Sequence, residues 1–223
     1  MNIYILTEIT KRELDSNLLL ACMAANNNFE VLITNSDTIM HLNEKNLLLP
    51  GIFHTKSLVH GKKKEKLHNS LKNNGIKITS LDEEAGLVIK NLEYFAEARF
   101  TDNDLNIADK IFCWGNHDFN TLISLYKKFE DKFVLSGSPR FDMMRSNFKN
   151  YWDLKNISKK KILISSNFNL VNGYIDENKI FFNLEKEGYF KRSPKFKKEL
   201  SLIIKDSKQK FHKFIEMLNK LIK

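Results

Sequence analysis

Three prolines, two cysteines and eight glycines are all that 223 residues contain of the types that most often break, staple or bend a chain. With only Cys22 and Cys113, one in a helical pattern and one in a strand pattern, a disulfide framework and a cysteine-built zinc site are excluded; two reduced, buried thiols are the expectation. Long apolar runs are also missing. The longest, Leu18–Ala25, is far shorter than the ~20 residues that cross a bilayer. The start "MNIYILTEITKRELD" lacks the charged end, apolar stretch and small-residue cleavage site of a signal peptide, so a cytoplasmic location is expected.

Several motifs are absent as well. No G-x-G-x-x-G follows the first strand pattern, which disfavours a dinucleotide-binding domain, and no G-x-x-x-x-G-K-[ST] offers a P-loop. A G-x-S-x-G nucleophile elbow and His/Cys clusters with zinc spacing are missing too, so no metal or other cofactor is expected. Negative charge is scarce at one end only. Residues 149–223 carry 18 Lys and Arg against 8 Asp and Glu, a net of +10, whereas residues 1–148 carry 18 against 19, a net of −1. A basic segment of this kind suits an anionic surface. The alternative is a general abundance of Lys, Asn, Ile and Phe from biased codon usage.

What the chain does contain is alternation. "NIYIL" (2–6), "FEVLIT" (29–34), "LLLPGIF" (47–53), "IKITSL" (76–81), "KIFCWG" (110–115) and "KFVLSG" (132–137) are short apolar runs rich in β-branched and aromatic residues. Between them lie stretches of helical period, clearest at 11–27, 62–75 and 116–129, and Asn74-Gly75 is a helix stop. Continuous apolar strands, each followed by a helix, predict an α/β domain: a doubly wound parallel sheet of Rossmann-like type over residues 1–147. A polar segment, 148–159, reads as a linker. "KKILISSNF" (160–168) reads as one more buried strand, 169–192 as a long loop, and a helix is announced by Ser193-Pro194. Its apolar stripe runs through Phe196, Leu200, Ile203, Ile204, Phe211, Ile215, Leu218 and Ile222, with lysines on the outer face. That stripe suits core packing, with a membrane-surface or partner helix as the alternative. One strand, one loop and one helix cannot bury a core alone, so 160–223 reads as the incomplete start of a second α/β domain.

Ligands of an open parallel sheet bind beyond the carboxyl ends of its strands. In order these ends are Thr7-Glu8, Asn35-Ser36-Asp37, His54-Thr55-Lys56-Ser57, Asp82-Glu83-Glu84, Trp114-Gly115-Asn116-His117 and Gly137-Ser138-Pro139-Arg140. The acidic trio is the sharpest feature. Like charges this close raise at least one pKa and suit a general base; the competing reading is the acidic first turn of a following helix. His117 suits a neutral imidazole that hydrogen-bonds substrate, or a plain solvent-facing residue, and Asn116 suits a helix cap. Arg140 and Asp142 suit anion or sugar binding, or a salt bridge that secures the exit from the last strand; for Asp142 the salt bridge is favoured.

The blocks "YILTEITKRELDSNLLLACMAANNNFEVLI", "LPGIFHTKS", "SLDEEAGLV", "FCWGNHD", "SGSPRFDMMR" and "ILISSNFN", in this order over roughly residues 3–170, resemble those of the bacterial surface carbohydrate biosynthesis proteins. The resemblance implies a GT-B glycosyltransferase, in which an amino-terminal Rossmann-like domain holds the acceptor and the base while a second domain binds the sugar nucleotide. A more distant likeness is to polysialyltransferases and other CMP-sugar transferases, whose acidic pair before a glycine is matched by Asp82-Glu83-Glu84. Here Ala85 separates the acids from Gly86, no histidine precedes a proline, and Ser138 stands where the family pattern has asparagine.

The resemblance therefore implies Asp82, Glu83 or Glu84 as the base of an inverting transfer without metal. The strand ends, with that reading, give Glu8, Lys56, Ser57, Trp114, Asn116, His117, Gly137, Ser138 and Arg140 as the substrate-binding set. The expected partners are a nucleotide-sugar donor, CMP-linked in this reading, and a glycan or lipid-linked glycan acceptor, with peripheral contact to the inner membrane face through the basic end. The tail carries no recognised nucleic-acid reading motif, so nucleic acid is not an expected partner. Two other functions fit the same residues: an acceptor-binding or partner-binding half without activity, and a sugar-nucleotide epimerase.

Overall fold

The computed structural model describes residues 1–58, 61–86, 92–152, 164, 168, 171, 176–186 and 194–221. The chain divides into two compact units, Met1–Lys155 and Asn156–Lys223, and the division falls inside the segment 148–159.

The first unit is an α/β layer structure around six parallel strands: β1 (Asn2–Leu6), β2 (Glu30–Thr34), β3 (Gly51–Thr55), β4 (Lys77–Leu81), β5 (Lys110–Cys113) and β6 (Phe133–Leu135). They lie in the order β2-β1-β3-β4-β5-β6. The helices are α1 (Thr10–Asn26), α2 (Ser36–Glu44), α3 (Lys62–Asn73), α4 (Leu92–Arg99), α5 (Asp102–Ile107), α6 (Asn116–Leu125) and the single turn α7 (Pro139–Asp142).

Each strand presents alternate residues to opposite faces. Tyr4, Leu6, Phe53, Ile78, Ile111 and Cys113 point one way and join Ile39, Leu67, Leu71, Ala96, Leu105 and Leu122 from α2 to α6 in one core. Among the described residues of the first unit, α1 and α7 lie on the opposite face and pack against each other. The sheet is thus wound on both faces.

Local chemistry accounts for where elements start and stop. Gly75 follows the Asn74 cap of α3 with φ 76°, a left-handed turn that glycine adopts without penalty. The third strand begins later than the apolar run 47–53 suggests. Pro50 has no N–H to give the ladder, and Leu47 and Leu49 stay exposed while the Tyr4 hydroxyl bonds the Leu49 carbonyl at 2.9 Å. Asn35 caps α2 by accepting the Thr38 N–H at 2.8 Å. A reciprocal Thr101–Asp104 capping box starts α5.

Three further expectations are corrected. Asn116 is not a cap; Gly115 holds that position and Asn116 is already helical. Asp82, Glu83 and Glu84 do not sit in a helical first turn, since residues 82–86 form a turn and irregular chain rather than helix. Cys113 is a buried thiol, pushed up to about 12 chiefly by burial, but Cys22 is exposed on α1.

In the second unit, α8 (Glu177–Lys186) occupies part of the stretch read as a loop, because Ile180, Phe181 and Leu184 recur at helical spacing and pack on α9 (Pro194–Leu221). Leu200 and Ile204 of α9 are buried there, whereas Ile203 and Ile215 of the same stripe are exposed. The strand read at 160–168, apart from residues 164 and 168, lies outside the described residues, as do Ser193 and Ile222. Among the described residues no helix is long and apolar enough to cross a membrane.

Candidate active site at the carboxyl edge of the sheet

Because all six strands run parallel, their carboxyl ends share one edge, and the order reverses between β1 and β3, where such sheets open a crevice. There the Lys56 Nζ lies 2.6 Å from a Glu8 carboxylate oxygen and 3.5 Å from Glu13. Glu13, in the first turn of α1, has no solvent exposure. Its Oε2 accepts the backbone N–H of Glu8 at 2.8 Å and of Ile9 at 3.1 Å, and its Oε1 accepts from Arg12 at 2.7 Å. Burial alone would raise its pKa. The two N–H donors, the Arg12 guanidinium and Lys56 outweigh that and hold it below the usual carboxylate value. Glu13 is therefore a charged pillar that fixes the chain as it leaves β1.

The acidic trio follows β4, and its three members have different surroundings. Asp82 is buried and gripped by two nitrogens of Arg99, at 2.5 and 2.7 Å, while also accepting the Glu84 N–H at 2.9 Å. Glu84 is exposed, 2.9 Å from Arg99 and 3.6 Å from Arg12, and these guanidiniums overcome its desolvation to lower its pKa. Glu83 is shifted upward. Burial raises it, the Glu13 charge adds to that, and the nearby Arg140 only partly opposes them. Its backbone N–H donates to the Lys56 carbonyl at 2.9 Å, tying the end of β4 to the end of β3. Among the described residues its carboxylate hydrogen-bonds only Arg140, at 3.3 Å, and the same guanidinium donates to the Glu83 carbonyl at 2.9 Å.

Trp114, at the end of β5, is a wall. Its Nε1 donates to the Asp82 carbonyl at 2.9 Å, Arg140 lies 5.7 Å from its ring centre, and Phe141 meets it edge-on. Gly86 passes against the ring with φ 75°, and a Cβ there would sit 2.4 Å from Trp114 Cε3. Its N–H donates to buried Asp118 at 3.3 Å, and burial pushes the Asp118 carboxyl up.

Glu8, Lys56, the acidic trio, Trp114 and Arg140 thus meet at one edge. Ser57 is there too, but its hydroxyl accepts from Lys64 at 2.9 Å. Gly137 anchors the last loop by donating to the Cys113 carbonyl at 3.0 Å, and Ser138 is buried beside Pro139. Asn116 and His117 are exposed on the first turn of α6 and make no described hydrogen bond to the carboxylates. Arg140 and Asp142 do not pair with each other: Arg140 turns to Glu83, and Asp142 pairs with Arg145 at 2.8 Å. Asn35 and Asp37 serve α2 and an exposed ion pair with Lys63.

Arg12, Glu13, Lys64, Arg99 and Asp118 escape the reading by strand ends. Glu13 had one signal: Glu13, Ser16 and Asn17 share the buried face of α1, an inward stripe that opens on polar residues. Arg99 had none, since only folding brings it to Asp82. Among the described residues no group of three or more His, Cys, Asp or Glu side chains is placed to hold a metal ion.

The arrangement offers a buried carboxyl with a raised pKa, held among the described residues by one guanidinium, beside a rigid aromatic wall. That combination can take a proton from a hydroxyl and hold an anionic group close to it. No family model matches the chain, and no curated protein matches it.

Proposed function

We propose that the chain is the acceptor side of a GT-B-type glycosyltransferase of surface polysaccharide synthesis, with Glu83 as its general base. The observation that carries this reading is the divergence within the acidic trio: Asp82 and Glu84 pair with Arg99, whereas Glu83 keeps a raised pKa and, among the described residues, pairs with Arg140 alone. The six-block resemblance supplies the reaction class, and the switch-point crevice of a parallel sheet is where such a ligand would enter.

In the reaction, the Glu83 carboxylate removes the proton of an acceptor hydroxyl. The oxygen attacks the anomeric carbon of the donor sugar, the bond from that carbon to the phosphate oxygen breaks, and the nucleotide leaves with the electron pair, inverting the centre. Arg140 orients Glu83 and faces the donor phosphate. The donor is a nucleotide sugar, CMP-linked by resemblance, and the acceptor is a glycan or lipid-linked glycan. The work is cytoplasmic, with the basic segment 149–223 resting against the inner membrane face.

The test is acceptor-dependent release of nucleotide from a panel of donors starting with CMP-sugars. Glu83→Gln should lose about 10²–10⁴-fold in kcat, the usual worth of a general base, while Glu84→Gln keeps most of it. Full turnover in Glu83→Gln refutes the assignment. Deuterium exchange at the sugar C2 without transfer would instead identify an epimerase.

A further inference from the structure

The face that carries α1 and α7 holds a second feature. Between α1 and α7 the sheet face forms a groove of about 360 Å³. Its floor is Ile3, Ile52 and Phe112, and Leu20 and Met23 of α1 flank it. Ile3 and Ile52 are register partners on adjacent strands, so the floor is continuous. His54 and Thr79, also register partners, follow towards the carboxyl edge, with His54 Nδ1 2.9 Å from the Thr79 hydroxyl. Burial pushes the His54 imidazole down to about 4, so it presents an uncharged ring at neutral pH.

At the carboxyl end the groove is bounded by Leu81 and by Gly137, Ser138 and Pro139. Ser138 is 5% exposed, and among the described residues its Oγ has no hydrogen-bond partner. A buried hydroxyl left unpaired costs about 1–3 kcal/mol, so this atom asks for a polar group from outside the chain. The neighbours are telling: Leu81 precedes Asp82, and Pro139 precedes Arg140, which grips Glu83. Among the described residues the one acid on the lining, Asp142, is already paired with Arg145. The volume is that of a small-molecule site.

We propose that this groove holds the apolar chain of the acceptor, an uncharged alkyl or isoprenoid aglycone whose polar linkage meets Ser138 and whose sugar emerges at Glu83 and Arg140. Calling the chain the acceptor's rests on the transferase reading above; the groove's taste for an uncharged apolar chain does not.

The test uses the full chain and N-phenyl-1-naphthylamine, a neutral fluorophore that brightens in apolar surroundings. Decyl and farnesyl glucosides below their micelle-forming concentrations, and free glucose, serve as competitors. Saturable binding at one per chain is expected, displaced by the alkyl or prenyl glucoside and not by glucose; the stronger competitor identifies the chain type. Ile52→Trp, which fills the floor, should weaken binding at least tenfold. Met23→Trp, on the exposed rim, should do the same if the first variant fails to fold. Absence of saturable binding, or equal binding by folded Trp variants, overturns the proposal. Because this assay needs no turnover, chain binding without sugar transfer keeps the groove and removes the transferase. Transfer to a soluble glycan without any chain binding does the reverse.

Discussion

Replacing Gly86 by alanine tests the link between the acidic loop and its aromatic wall. Two penalties arise. Residue 86 has φ 75°, and an L-side chain in the left-handed region costs about 1–2 kcal/mol. The new Cβ would also lie 2.4 Å from Trp114 Cε3 and 3.0 Å from two further ring atoms. The ring cannot simply yield, because its Nε1 holds the Asp82 carbonyl at 2.9 Å and Phe141 packs edge-on against it. Overpacking of this kind costs about 1–3 kcal/mol. The stiffer unfolded chain returns only about 0.4–1 kcal/mol, so the net loss should be about 2–4 kcal/mol. Gly75→Ala is the control: φ is 76°, but no atom lies within 4 Å of its Cβ, so it should lose only about 1 kcal/mol. Urea denaturation followed by tryptophan fluorescence and far-ultraviolet circular dichroism measures both. With a slope of about 2 kcal/mol per molar, the midpoint of Gly86→Ala should fall by about 1–2 M. Equal midpoints for the two variants would refute the Trp114 contact as the cause.

Three further outcomes are expected. Arg99→Leu strands Asp82 as a buried unpaired carboxylate and should cost about 3–5 kcal/mol, most of it recovered in the Asp82→Leu/Arg99→Leu double variant; failure of the double to recover would show that the pair is not the source. His68 is buried 6.0 Å from the Phe53 ring and pushed down to about 4 by burial and then by Lys64. Its folded pKa lies below the unfolded value, so the unfolded chain binds more protons between about pH 6.5 and 4 and stability should fall as pH falls through that window, by up to roughly 3 kcal/mol. His68→Leu should flatten that slope, with His54 supplying the remainder; an unchanged slope would remove His68 as its source. Arg140 lowers the Glu83 pKa, so Arg140→Met should move the acid limb of the kcat/KM profile to higher pH, and a limb that stays in place would separate it from Glu83.

Much of the first unit is legible in the sequence because its period is local. Apolar runs such as "NIYIL" and "KIFCWG" can satisfy their burial only as strands inside a covered sheet, and parallel pairing follows from the helices between them. The strand-end rule then collects Glu8, Lys56, Asp82 and Arg140 without any coordinate. It also collects Asn116 and His117, which share the edge but face solvent from α6, because the rule knows position along a strand and not direction of a side chain.

Tertiary structure alone decides which carboxylate stays available. Asp82, Glu83 and Glu84 are neighbours with the same chemistry, and nothing in their order ranks them. The ranking comes from Arg99 on α4 and Arg140 on α7, residues distant in sequence whose guanidiniums reach two of the acids on one side and the third on the other. Burial of Glu83 and the charge of Glu13 do the rest. The groove on the second face has the same origin. Its apolar floor is written in the strands, but it becomes a groove only because α1 and α7, distant in sequence, come together along it.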